Sequence, residues 1–308
     1  MINAGGIDVG GTKIEATLFD ANWQVLETRR IPTPTDSYNN LLAEILAQYH
    51  WLESISDSAN TPIGIGVPGI VDRTTGHMVI ANLPVARQNL RDDLIREVNH
   101  PVPFVNDCRA FTLSEAKLGA GRGHSVVLGL ILGTGVAGGL AVNTRLIYGK
   151  NGAAGEFGHT PVPATLSRKF SLPILTCGCG QTGCYETLIS GPGMVNLAAN
   201  LFDLTKTPPE IASAAAGGDE IAGQIMDIWT EITCGLIQSI ILVVDPDCIV
   251  LGGGLSNIPE ITDRLIGQLP IGLLSGVKIP QILLAEGGDS SGVRGAAMVA
   301  QNESVNLA

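Results

Sequence analysis

One unit occurs twice in this chain, and that recurrence constrains the fold more than any other feature. Near the start, Ile7-Asp8-Val9 is a short apolar strand running into Gly10-Gly11-Thr12-Lys13. Ile14 to Phe19 then alternates as a half-buried strand, and Val25 to Ile31 follows across an Asn22 turn. Midway along, Val126 to Leu132 is a buried strand, Gly133-Thr134-Gly135 a tight turn, and Gly139 to Val142 a second strand. Asn143-Thr144-Arg145 then turns into Leu146-Ile147-Tyr148. The shared order of strand, glycine–threonine turn, strand, hairpin and strand predicts a duplicated α/β protein with a cleft between its halves. The alternative is two unrelated glycine-rich turns.

The intervening segments fit an α/β chain of two ordinary domains, which 308 residues accommodate. Asp36-Ser37 can cap a helix whose apolar face is Leu41, Leu42, Ile45, Leu46 and Tyr49. Pro62 to Gly69 reads as a buried strand ending in a turn, Leu90 to Val98 as a short helix, and Val102 to Val105 as a strand. That last strand delivers Asn106-Asp107 to its C-terminal end, where open α/β sheets bind ligands. Farther on, Glu220 to Val243 forms a helix with Ile221, Ile225, Ile228, Trp229 and Ile232 on its apolar face. Cys248 to Leu251 is a strand ending at Gly252-Gly253-Gly254, followed by a helix over Pro259 to Leu269 and a strand at Ile282 to Leu284. A closing helix starts at Gly292, and the polar tail from Gln301 is expected to fray.

A formal charge of −11, with only 18 basic residues and no run of them, argues against a nucleic-acid partner. The apolar runs Val126 to Val142 and Leu236 to Leu251 are glycine-rich or broken by Asp245-Pro246-Asp247, so they read as core and not as membrane spans. No basic, then apolar, leader opens the chain, and a cytoplasmic protein is expected.

Three side-chain groups invite chemistry. Asp8-x-Gly10-Gly11-Thr12-Lys13 and Gly133-Thr134-Gly135 place small residues and a hydroxyl at strand-to-strand turns, where backbone N–H groups can approach a phosphate. Neither matches the Walker or dinucleotide pattern, and each alone is equally a hairpin turn. Asp107, at a strand end, can be a general base or the cap of the helix that follows. Cys177-x-Cys179-x₄-Cys184, with His159 upstream, offers soft donors for a closed Cys₃His zinc site flanked by Glu156 and Glu186; the alternative is three buried thiols. With Cys108, Cys234 and Cys248 scattered elsewhere, a disulfide framework is not indicated.

Taken together, these motifs resemble the ROK family of sugar kinases (repressors, open reading frames and kinases). The resemblance runs through Asp8 to Lys13, Gly66-Val67-Pro68-Gly69, Asn106-Asp107, Gly133-Thr134-Gly135, Gly155-Glu156-Phe157-Gly158-His159, the cysteine segment and Gly252 to Gly254. Pro34 to Tyr38, Ala81-Asn82-Leu83-Pro84 and Val244-Asp245-Pro246-Asp247 fit the group acting on N-acetyl-D-glucosamine. The resemblance implies an actin-like, ribonuclease-H-like ATPase fold of two α/β domains, at 1–118 with about 291–308 and at 119–290, with ATP in the cleft. It implies Asp107 as base toward the sugar 6-hydroxyl, and Gly69, Asn106, Glu156, His159 and Glu186 as sugar ligands. It further implies Asp8 near Mg²⁺, the two threonine turns on phosphates, Gly252 to Gly254 along the adenosine, and a structural Zn²⁺ on His159, Cys177, Cys179 and Cys184.

The partners implied are a small sugar and ATP, with no nucleic acid and no membrane, in a homodimer. Departures are Cys108-Arg109 where Ala-Asn is usual and Ala137 where glycine is common. Arg109 would lower the pKa of Asp107 or face solvent. Sugar-responsive regulators of the same family carry an N-terminal DNA-binding domain. Only seven residues precede Asp8 here, so that function is not expected.

Overall fold

The computed structural model describes residues 2–56, 61–71, 75, 78–79, 83–85 and 88–306. The first half runs β1 (Ile2–Val9), β2 (Lys13–Asp20), β3 (Val25–Pro32), α1 (Tyr38–Ile55), β4 (Ile63–Val67), β5 (Ile70–Val71), β6 (Met78–Val79), α2 (Leu90–Val98), β7 (Phe104–Asn106) and α3 (Asp107–Leu118). Next come β8 (Val126–Leu132), β9 (Val136–Val142), β10 (Arg145–Leu146), α4 (Ala164–Phe170), α5 (Glu186–Ile189), α6 (Gly191–Phe202) and α7 (Pro208–Ala216). The chain ends with α8 (Glu220–Val244), β11 (Cys248–Gly252), α9 (Ile261–Gln268), β12 (Gln281–Leu284) and α10 (Ser291–Asn306).

The duplication is visible in the sheets. Among the described residues the large sheets are two, of orders β3-β2-β1-β4-β7 and β10-β9-β8-β11-β12. In the first, β1 pairs antiparallel with β2 and parallel with β4, which is parallel to β7. In the second, β8, β11 and β12 are parallel to one another in turn. Each sheet therefore carries a hairpin at one edge and parallel strands at the other. The third strand of the second copy is short: β10 stops at Leu146, and Ile147 and Tyr148 lie outside it.

The chain divides into two compact units, 1–119 with 139–154 and 287–308, and 120–138 with 155–286. Residues 139–154, which the sequence grouped with the second half, thus cluster with the first. In the first unit, Ile7, Ile14, Leu41, Ile45, Leu52 and Ile65 are fully buried around the sheet and α1. Each such side chain contributes about 1.5–3 kcal/mol by leaving water. Ser37 caps α1 by accepting the Asn40 N–H, as the sequence indicated.

Helix α10 lies so close to the first sheet that side chains are excluded between them. A Cβ on Gly6 would sit 2.1 Å from the Val293 carbonyl oxygen, and one on Gly64 2.2 Å from that of Ala296. This helix continues through residue 306, past the point where the polar tail was expected to fray.

The second unit is built on α8. It is long and apolar enough to cross a membrane by length and composition, yet Trp229, Ile232 and Ile237 are fully buried among the core of its own unit. The Trp229 indole N–H donates to the Ile189 carbonyl at 3.1 Å, satisfying the one polar atom of that side chain. Ile221, expected on the apolar face, is 47% exposed, at the second position of the helix after its Asp219 cap.

Candidate active site

In the first unit, the C-terminal ends of parallel strands β1, β4 and β7 bring forward Asp8, Gly69, Asn106 and Asp107. Asn106 organises this edge. Its Oδ1 accepts the Arg109 backbone N–H at 3.1 Å, which makes it the cap of α3. Its Nδ2 donates to the Gly69 carbonyl at 2.9 Å and to Asp107 Oδ1 at 3.0 Å. The Cys108 N–H donates to the same carboxylate oxygen at 2.7 Å.

Asn106, and not Asp107, is therefore the cap of α3. Asp107 is the first residue of α3, at the positive end of the helix dipole, with its carboxylate oriented by two donors. Gly69 turns the chain toward Asn106 with φ of 81°, a conformation that strains residues bearing a side chain. Arg109 does not face solvent: its side chain is buried and its Nε donates to the Ala154 carbonyl at 2.8 Å.

The Gly10-Gly11-Thr12-Lys13 turn closes through Gly10 N–H to the Lys13 carbonyl at 2.9 Å. Lys13 itself leans on Glu15, 3.4 Å away, beside Arg30 at 2.7 Å. Asp8 is the electrostatic anomaly. Burial foremost, then the charges of Asp107 and Glu15, push its carboxyl from an ordinary 3.8 up to about 7, with Lys13 opposing. A carboxyl whose folded-state pKa is raised adds stability that is complete below 3.8 and is lost as pH rises through about 7. Asp8→Asn should therefore melt several degrees above the unsubstituted, ligand-free protein at pH 8, and equally with it at pH 4. Thermal melts at the two pH values measure this, and coincident curves at pH 8 would contradict it.

In the second unit, Gly133 N–H donates to the Gly135 carbonyl at 3.0 Å, closing the second glycine–threonine turn. This turn borders a largely apolar cavity of about 640 Å³, whose walls include Gly133, Thr134, Pro192, Pro208, Ser213 and Gly254. Of the Gly252-Gly253-Gly254 run, only Gly254 lines it. The sequence reading missed the proline walls. Thr207-Pro208-Pro209-Glu210 is a capping box that starts α7, and this was the available signal.

The cysteine segment is a tight hairpin, held by bridges Pro161↔Cys184 and Thr176↔Thr182. It gathers one ligand atom each from His159, Cys177, Cys179 and Cys184 within 4.8 Å of one another. Cys179 and Cys184 sulfurs are 3.7 Å apart, and Cys177 Sγ is 3.6 Å from His159 Nδ1. Tetrahedral zinc with Zn–S bonds of about 2.3 Å needs sulfurs roughly 3.8 Å apart, so the donor set fits that ion. The two ring nitrogens of His159 face different ways, Nδ1 toward the sulfurs and Nε2 toward Glu156 Oε2 at 3.7 Å. Glu186 Oε1 stands 4.0 Å from His159 Nδ1. Glu156, His159 and Glu186 are thus brought together by the hairpin.

The chain matches the model of the ROK family over residues 4–303. It is 40% identical over 295 residues to the N-acetylgalactosamine kinase AgaK of Shewanella sp. (strain ANA-3), covering 96% of this chain and 95% of that one. It is also 40% identical over 297 residues to an N-acetyl-D-glucosamine kinase of Pectobacterium atrosepticum, covering 96% and 97%. Among solved structures it is similar to a ROK family glucokinase from Streptomyces griseus in complex with glucose and AMPPNP, with a TM-score of 0.78, 29% identity, and coverage of 98% and 100%. The two repeated sheets are those of the actin-like, ribonuclease-H-like ATPase fold. Motifs, sheet order and full-length similarity agree, and the chain belongs to the ROK family.

Proposed function

We propose that this chain, an ATP-dependent sugar kinase, transfers the γ-phosphoryl group of ATP to the 6-hydroxyl of N-acetyl-D-glucosamine, giving the 6-phosphate and ADP. The observation that carries the reading is the carboxylate of Asp107, oriented by Asn106 and the Cys108 N–H at the end of β7. As the sugar oxygen attacks the γ-phosphorus, Asp107 takes its proton, and the bond to the ADP oxygen breaks. Asn106, Glu156, His159 and Glu186, with the Gly69 backbone, bind the sugar hydroxyls and orient the 6-hydroxyl.

The backbone N–H groups of Gly10 to Lys13 and of Gly133 to Gly135 receive phosphates. The apolar cavity beside Thr134 and Gly254 takes the base and ribose. Mg²⁺ carried by the nucleotide would sit by Asp8 and neutralise charge there, which suits a carboxyl that burial and its acidic neighbours hold half-protonated near neutrality. Zinc on the Cys₃His cluster would fix the hairpin, leaving His159 Nε2 and the two glutamates turned toward the sugar. The proposed setting is the cytoplasm and the proposed assembly a homodimer.

A second reading, N-acetyl-D-galactosamine as substrate, is supported by the equal identity to AgaK. The two sugars differ only in the configuration at C4. Residues 81 and 82 of the Ala81-Asn82-Leu83-Pro84 motif lie outside the described residues, whereas Leu83 is buried in the first core. ADP release should be followed with N-acetylglucosamine, N-acetylgalactosamine, N-acetylmannosamine, glucose, fructose and allose. The expected order puts N-acetylglucosamine first in kcat/KM and glucose well below it. A higher kcat/KM for N-acetylgalactosamine would install the second reading, and fastest turnover of an unacetylated hexose would remove both.

A further inference from the structure

Glu186 opens α5 and directs Oε2 at the backbone N–H of Val136, 2.9 Å away. Val136 follows Gly133-Thr134-Gly135 directly and is fully buried, so this charged acceptor fixes the exit of the turn in a setting of low dielectric. The other oxygen of the same carboxylate, Oε1, lies 3.6 Å from Cys177 Sγ. A parallel tie runs close by, from the Gly191 N–H at the start of α6 to the Gly133 carbonyl at 2.7 Å. Gly135 tolerates the arrangement because it has no side chain: a Cβ there would stand 2.8 Å from Glu186 Oε2.

We infer that Glu186 is a positioning residue for the Gly133–Gly135 turn in addition to being a sugar ligand. By holding the Val136 N–H it keeps the turn in the shape that receives the nucleotide phosphates. One carboxylate then serves both substrates, and a change at either end is felt at the other. The inference rests on the reading of Gly133 to Gly135 as a phosphate turn.

The test is nucleotide binding in the absence of sugar, where a side chain acting only on sugar has no effect. Mg²⁺–AMPPNP titrations by calorimetry are expected to show about a tenfold loss of affinity in Glu186→Ala, the scale of one charge-assisted hydrogen bond. Glu186→Gln should stay near the unsubstituted value, because its amide oxygen still accepts from Val136, while sugar affinity falls in both variants. Zinc content measured alongside should be unchanged.

Gly135→Ala supplies a converse measurement that does not depend on the folding of Glu186→Ala. By displacing the carboxylate it should weaken sugar binding in the absence of nucleotide. Unaltered AMPPNP affinity in Glu186→Ala, or unaltered sugar affinity in Gly135→Ala, would overturn the inference and leave the kinase reading intact. Failure of the unsubstituted protein to bind AMPPNP would overturn both.

Discussion

Asp107→Asn is expected to lower kcat by about 10²–10⁴-fold, the range that a positioned general base contributes. Sugar affinity should change little. The amide oxygen of an asparagine at this position can still accept the Cys108 N–H, so the first turn of α3 and the Asn106 cap stay in place. What is lost is an atom able to take a proton at neutral pH. The split matters more than the size: kcat falls with the sugar dissociation constant intact, which calorimetry and an ADP-release assay read separately. Substantial residual turnover would refute Asp107 as the base, and parallel loss of binding would make it a sugar ligand only.

Cys177→Ser should have the next largest effect, on a different quantity. Bound zinc is expected to fall from about one per chain to a small fraction of that, with a lower melting temperature, since ligation energy is also folding energy. Sugar KM should rise roughly tenfold to a hundredfold, the penalty of an ångström-scale displacement of orienting groups. The path is local: His159 Nδ1 faces Cys177, and its other nitrogen faces Glu156. Without the ion, burial pushes the Cys184 thiol up to about 12, so that sulfur stays protonated. Metal analysis with sugar titration measures this. If sugar affinity survives the loss of zinc, the hairpin is not what positions Glu156 and Glu186.

The duplication was legible because each copy is local, with strands and a glycine turn adjacent in sequence, and the two sheets repeat one strand order. The cysteine spacing was legible for the same reason, and His159 joins it through the Pro161↔Cys184 bridge, a pairing no spacing reveals. Asn106 and Asp107 are both good capping residues, so sequence could not rank them. The Gly69 carbonyl, 37 residues upstream, takes the Asn106 amide and sets its oxygen over α3. Arg109 was ambiguous because its acceptor is the carbonyl of Ala154, 45 residues away. The cavity walls at Pro192 and Pro208 come from separate helices, and helical periodicity says nothing about which of them share a hollow.

The place of α10 bears on how the protein is made. A ribosome delivers β1 and β4 early, each with a glycine gap sized for a carbonyl of a helix that is translated after both sheets. The run 155–286 of the second unit is complete before Ser291 exists, so its core can close during synthesis. The unit bearing Asp107 closes only after α10 leaves the exit tunnel. Nascent chains cut short before Ser291 should then expose the apolar face of the first sheet and meet chaperones or proteases, while the metal hairpin in the same molecules is already folded.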